Sequence, residues 1–227
     1  MTEQGTTIWE KLGASAGAWA TLWLAIQWLI LRGAHADPRT AEGEFVRVML
    51  SERMAWEWAT LLRIVAGLMI IWFMGSLAGR LRLAEGEPAR LASIAQGTGV
   101  VWGAVWLLSA FFNSASILLG TIYNNPMGAR LAGVFGRESA LVLTPSISYT
   151  LTLAVAFVAL RYGGFPKWYA YATIILNNVI LVLALVDWYG PGNLAPTIMT
   201  IALAWLGVTS LLIIPAYHPP DMVRGAR

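Results

Sequence analysis

The chain has 227 residues, 58% hydrophobic and only 12% charged, with a net charge of +3 and a mean hydropathy of +0.64. Soluble domains carry about 25% charged residues, so half that share points to hydrocarbon rather than water as the surround. The 15 basic residues are scattered between apolar runs, with no basic patch interleaved with aromatics, which argues against nucleic acid as a partner.

There is no cysteine, so disulfides, thiol catalysis and Cys-based metal sites are excluded. His35 and His218 both lie outside the apolar runs, so no histidine pair is available at membrane depth for haem or a di-iron centre. No cofactor, metal or catalytic constellation is expected.

In chain order, residues 12–31 form the first charge-free run, ending at Arg32. Ala34-His35-Ala36 resembles a signal-peptidase site, but the leading segment carries Glu3 and Glu10 with only Lys11. The run also exceeds the ~7–15 residues of a signal h-region. A retained helix is the expectation. Residues 33–57 hold the densest charge cluster, with Phe45, Val48, Met49, Met54 and Trp56 interleaved at near-helical spacing. An amphipathic helix on the membrane surface is predicted, with a solvated lead-in to the next span as the alternative.

A second span follows over about 55–79 with Arg63 inside it, then a short linker to Arg90. Residues 91–129 contain 39 residues without one Asp, Glu, Lys or Arg. A bilayer core needs only ~20 apolar residues of helix. The third span is therefore placed at 91–114, with Gly120, Asn124, Asn125 and Pro126 read as an exit loop continuing to Arg137. The fourth span is 139–160, with Pro145 near its start, and a tight turn leads to the fifth at 168–187. Tyr189-Gly-Pro-Gly-Asn193 turns the chain into a sixth, 194–214.

The expected fold is all-α, a single transmembrane domain of six helices over residues 1–227. Six spans put both termini on one side, which then carries eight Lys and Arg against six on the other. Basic residues favour the cytoplasm, so both termini are expected inside. The last three spans show no repeat of the first three, so an inverted-repeat transporter gains no support. The pairs Gly13/Gly17, Gly75/Gly79 and Gly99/Gly103 predict close helix packing in the bundle, with homo-oligomerisation as the alternative.

Among residues that could carry chemistry, Arg63 stands out, because a guanidinium inside a span must snorkel, find a carboxylate, or meet water or lipid phosphate. The six-span topology brings Asn113, Glu138 and Asp187 to a similar depth, so Arg63, Asn113, Glu138 and Asp187 form a candidate polar cluster under the outer leaflet. The alternative is an interfacial arginine with solvated carboxylates. Asn177 and Asn178, mid-way along the fifth span, are expected to hydrogen-bond between helices or to line a ligand cavity. Gln27 and the run Ser146, Ser148, Thr150 and Thr152 pose the same choice, and packing is favoured because hydroxyls can bond their own helix backbone. Trp19 with Trp23 and Trp102 with Trp106 read as packing stripes, and Trp9, Trp56, Trp58, Trp168 and Trp188 as interfacial anchors.

The segment Phe73-Met-Gly-Ser-Leu-Ala-Gly-Arg-Leu-Arg-Leu-Ala-Glu-Gly-Glu-Pro-Ala-Arg-Leu91 and the join Gly164-Phe-Pro-Lys-Trp168 resemble a group of uncharacterised bacterial multi-pass membrane proteins common in actinobacteria. Tyr169-Ala170 stands where that group more usually has Leu-Gly. The resemblance implies a helical fold in a bacterial inner membrane, with no activity or site residue to carry over. The functional expectation is a non-enzymatic accessory subunit or a binder of a lipophilic small molecule, with membrane lipid, a second copy or another membrane protein as partners. A small secondary transporter or channel is the first alternative, and an enzyme acting on a lipid or terpenoid the second.

Overall fold

The computed structural model describes residues 8–31, 42–189 and 194–214, without the side chains of residues 42, 141, 187–189, 195 and 196. His35 and His218, and residues 33–41 of the first polar connection, lie outside the described residues. Within them the chain is helical, with no strand: α1 (Ile8–Leu31), α2 (Glu42–Ser51), α3 (Arg53–Glu85), α4 (Arg90–Thr121), α5 (Pro126–Arg161), α6 (Lys167–Tyr189) and α7 (Ala195–Ile213). Five of these, α1, α3, α4, α5 and α6, are long and apolar enough to cross a membrane. The sixth expected span corresponds to α7, whose described apolar stretch, Thr197–Ile213, is shorter.

The long helices close a ring. α3 packs on α1 and α4, α4 on α5, α5 on α6, and α7 returns from α6 to α1. Inside lie Leu24, Ile70, Phe73, Trp102, Leu151, Val155, Tyr169 and Leu206. Small residues set the spacing. A Cβ on Gly103 would lie 2.8 Å from the Gly67 carbonyl oxygen, and one on Gly99 would meet the Met74 side chain. Backbones of α3 and α4 therefore approach as closely as side chains allow. Gly13 and Gly17 likewise abut Ser76 and Phe73, whereas Gly75 and Gly79 face open space. Two of the three predicted glycine pairs thus serve packing within the chain.

The exterior of the bundle is apolar: Leu68, Phe111, Phe157, Ile175 and Leu211 are each more than half exposed. A globule folded for water would turn these residues inward. Their exposure fits the membrane-protein class that the apolar helices indicate.

The helix ends differ from the sequence reading. α4 runs on to Thr121 and α5 starts at Pro126, so residues 126–137, expected as loop, form three helical turns. The local chemistry explains this. The Asn125 side chain accepts the Gly128 N–H at 2.9 Å, and Pro126 occupies the first helical position, where its missing N–H costs nothing. Arg130 and Arg137 then ride on a helix that outruns the apolar stretch. Pro145 sits inside α5 without ending it. α3 likewise continues through Arg80 and Arg82 to Glu85.

α2 is a separate helix. Its apolar face, Phe45 and Met49, is buried against Trp56 of α3 and Ile117 of α4 rather than left open. The Phe45 ring also fills the space over Gly133 of α5.

At the opposite end of the bundle the last turns of α3 meet the turn between α5 and α6. Arg80 Nε and Nη2 donate to the Gly164 carbonyl at 3.1 and 2.8 Å, and the guanidinium lies 5.7 Å from the Phe165 ring centre. Glu85 turns back to accept the Leu91 and Ala92 N–H groups at 3.0 and 2.9 Å. It thereby caps α4, whose own N-cap residue, Ala89, has no side chain able to do so.

Candidate functional site

Arg63 projects from the third turn of α3 toward α4 and α5. Its Nη1 donates to Ser109 Oγ at 3.2 Å, and Ser109 Oγ donates in turn to the Gly136 carbonyl at 2.6 Å. Ser139 Oγ donates to the same carbonyl at 3.2 Å. Asn113 lies one turn beyond Ser109, fully buried, with its Oδ1 2.9 Å from where a Cβ on Gly136 would stand. Three helices are therefore pinned at one level by a guanidinium, a hydroxyl and a backbone carbonyl.

The arrangement leaves donors in excess. Arg63 Nε and Asn113 Nδ2 are both shielded from solvent and have no hydrogen-bond partner. Among the described residues Arg63 forms no ion pair; nearby along the chain, Arg53 pairs with Glu57 at 2.6 Å. A cation with no counter-charge among the described residues is suited to an anion, water or lipid phosphate from outside them.

Of the predicted cluster, the structure sets Asn113 one turn from Ser109, the partner of Arg63, without a hydrogen bond to either, and adds Ser109 and Gly136, which sequence reasoning missed. Glu138 follows Gly136 by two residues on α5, half-buried and engaged in a contact of its own. The Asp187 side chain lies outside the described residues. A serine inside a span reads first as a residue bonding its own helix, and a lone glycine as packing. The available signal was spacing: Ser109 precedes Asn113 by four residues and so shares its face.

The mid-span asparagines part company. Asn177 is buried and its Nδ2 donates to the Tyr149 carbonyl of α5 at 3.3 Å, an interhelical bond, while its Oδ1 has no partner. Asn178 is exposed and donates to Ile174 of its own helix at 2.8 Å. Ser148 and Thr152 bond carbonyls of α5 itself. The indole N–H groups of Trp102 and Trp106 are buried without partners, and Trp19 stacks on Trp23 with centroids 6.4 Å apart.

No group of three or more His, Cys, Asp or Glu able to hold a metal occurs among the described residues. The class defined by fold and site is an all-helical protein with several apolar membrane-length helices and a buried, donor-rich arginine site. Comparison with protein-family models, curated proteins and solved structures finds no match.

Proposed function

We propose that this chain is a non-enzymatic, multi-pass membrane protein that holds an anionic amphiphile through Arg63, an oxyanion headgroup with acyl tails being the chemistry that fits. The observation that carries this reading is the Arg63 guanidinium with an unused Nε–H and, among the described residues, no carboxylate on it. A phosphate or carboxylate offers paired oxygens that match the guanidinium fork, and Asn113 Nδ2 offers a further donor. Access is lateral: Leu61 and Ile64 of α3 and Leu108 and Phe111 of α4, beside the site in sequence, are exposed apolar residues suited to acyl chains.

Charge zoning supports the depth. Residues 64–79 of α3 are uncharged between Arg63 and Arg80, which is ~24 Å of helix at 1.5 Å per residue. A hydrocarbon core is about 30 Å thick, so Arg63 falls near its edge, within reach of headgroups. The excess of basic residues beside Arg80, Arg90, Arg161 and Lys167 favours that end, and both termini, as cytoplasmic in a bacterial inner membrane. α2 and the first turns of α3 and α5 then occupy the opposite interface.

Native mass spectrometry of the purified protein, titrated with phosphatidylglycerol or phosphatidylcholine, tests the site. Retention of phosphatidylglycerol by the wild type and its loss in Arg63→Ala is the expected result. Equal retention in both proteins, or equal affinity for the two lipids, overturns it.

A second reading, a small anion pathway, draws on one further observation. Trp102, Trp106, Ser109 and Asn113 share a face of α4, and three of the four carry donors without acceptors. Anion flux into liposomes that falls in Arg63→Ala would favour transport over static binding. The lipid-enzyme alternative has no comparable support, since Arg63 makes its hydrogen bond to a serine rather than to an acid or base.

A further inference from the structure

α6 offers the lipid an amide. Asn178 stands eleven residues after Lys167 and nine before Asp187, at the middle of an uncharged run. It is exposed, and its one hydrogen bond goes from Nδ2 to the Ile174 carbonyl, which leaves Oδ1 and a second N–H to face hydrocarbon. Exposed hydroxyls at similar depth, such as Thr150, can return their hydrogen to their own helix. A carboxamide has too many polar atoms to hide this way, and each left unsatisfied in lipid is costly.

Its neighbours are ordered. Tyr171, Ile175, Asn178, Val182 and Leu185 are all exposed, and they recur at alternating spacings of four and three. That is the repeat of a helix seam, with one polar residue at its centre. The inner face of α6, with Tyr169, Thr173, Asn177 and Ile180, is already buried on α5 and α7. The seam is therefore unpartnered among the described residues.

We propose that this face is covered by a second copy of the protein, two α6 helices running parallel about a two-fold axis along the membrane normal, with Asn178 against Asn178. The amide is what selects the occupant. It is both donor and acceptor, so two identical amides satisfy each other reciprocally. A second copy also presents its amide at the same depth by construction. A single polar seam residue fixes register, because sliding by one turn leaves both amides in hydrocarbon. This inference is independent of the Arg63 site.

The absence of cysteine makes the test direct. In a parallel two-fold pair each seam position faces itself, so single substitutions Ile175→Cys and Val182→Cys in the full chain should give disulfide-linked dimers when membranes are oxidised with copper phenanthroline. Leu68→Cys on α3 and Val101→Cys on α4, equally exposed, should not. Adding Asn178→Leu to Val182→Cys should weaken the dimer roughly tenfold, within the range of an interhelical polar bond in membranes. Linking at all four positions alike, or at none, overturns the proposal, as does a dimer unaffected by Asn178→Leu. Because Asn178 lies outside the core, the cysteine scan on the intact amide decides the matter even if the leucine variant misfolds.

Discussion

Ser109 does two things with one hydroxyl: it accepts from Arg63 and donates to Gly136. Ser109→Ala removes both bonds and strips the guanidinium of its one partner, so a loss of ~1–3 kcal/mol is expected, read as a lower melting temperature in detergent. Gly136 and Gly75 provide a contrast in sign. A Cβ on Gly136 would press on Asn113 Oδ1 and, at 3.2 Å, on the Ser109 carbonyl, whereas one on Gly75 meets nothing within 4 Å. Gly136→Ala should therefore destabilise by ~1–3 kcal/mol through overpacking. Gly75→Ala should be neutral or stabilising by up to ~1 kcal/mol through helix propensity. The same thermal assay separates them. Arg63 and Asn113 were legible in the sequence because a charge and an amide are conspicuous in an apolar run. Ser109 and Gly136 were not, since a hydroxyl and a missing side chain acquire meaning only from what stands opposite.

At the scale of elements, the sequence conveyed where apolar helix must exist and conveyed poorly where it stops. Hydropathy marks what hydrocarbon can cover; helices end where capping chemistry says so. Asn125-Pro126 starts α5 thirteen residues before the charge-free run 139–160, and Glu85 begins α4 from across a turn. The second cap is testable. Glu85→Ala leaves the Leu91 and Ala92 N–H groups without their acceptor and should cost ~0.5–2 kcal/mol, as loss of a helix cap does. Amide exchange in the first turn of α4 should accelerate in that variant and not elsewhere. α2 depends on a different force. Phe45 is fully buried between α3 and α5, so Phe45→Ala opens a cavity worth ~3–5 kcal/mol of docking. Faster exchange over residues 42–51, with the long helices unaffected, is the expected signature.

At the scale of the molecule, two polar ties bracket an uncharged slab. Arg63, Ser109 and Gly136 bind α3, α4 and α5 at one edge, and Arg80 with Gly164 binds α3 to the α5–α6 turn at the other. Between them run residues 64–79 of α3 without a charge, and 139–160 of α5 beside them. α3 and α5 run in the same direction with α4 antiparallel between them, and ties at both levels keep their uncharged lengths in register, which a bilayer requires and an aqueous core does not. If the slab is the membrane, the two ends of α3 lie on opposite sides of it. Ser51, exposed on α2, and Leu83, exposed by 86% near the end of α3, report on those ends. In the naturally cysteine-free chain, Ser51→Cys should react with a membrane-impermeant maleimide on intact spheroplasts. Leu83→Cys should react only after permeabilisation, since its flanking Arg80, Arg82 and Arg90 favour the cytoplasmic face. The reverse pattern would invert the orientation and leave the slab in place. Labelling of both from one side would mean that α3 does not cross, and the site at Arg63 would then lose the lipid surround on which its proposed chemistry depends.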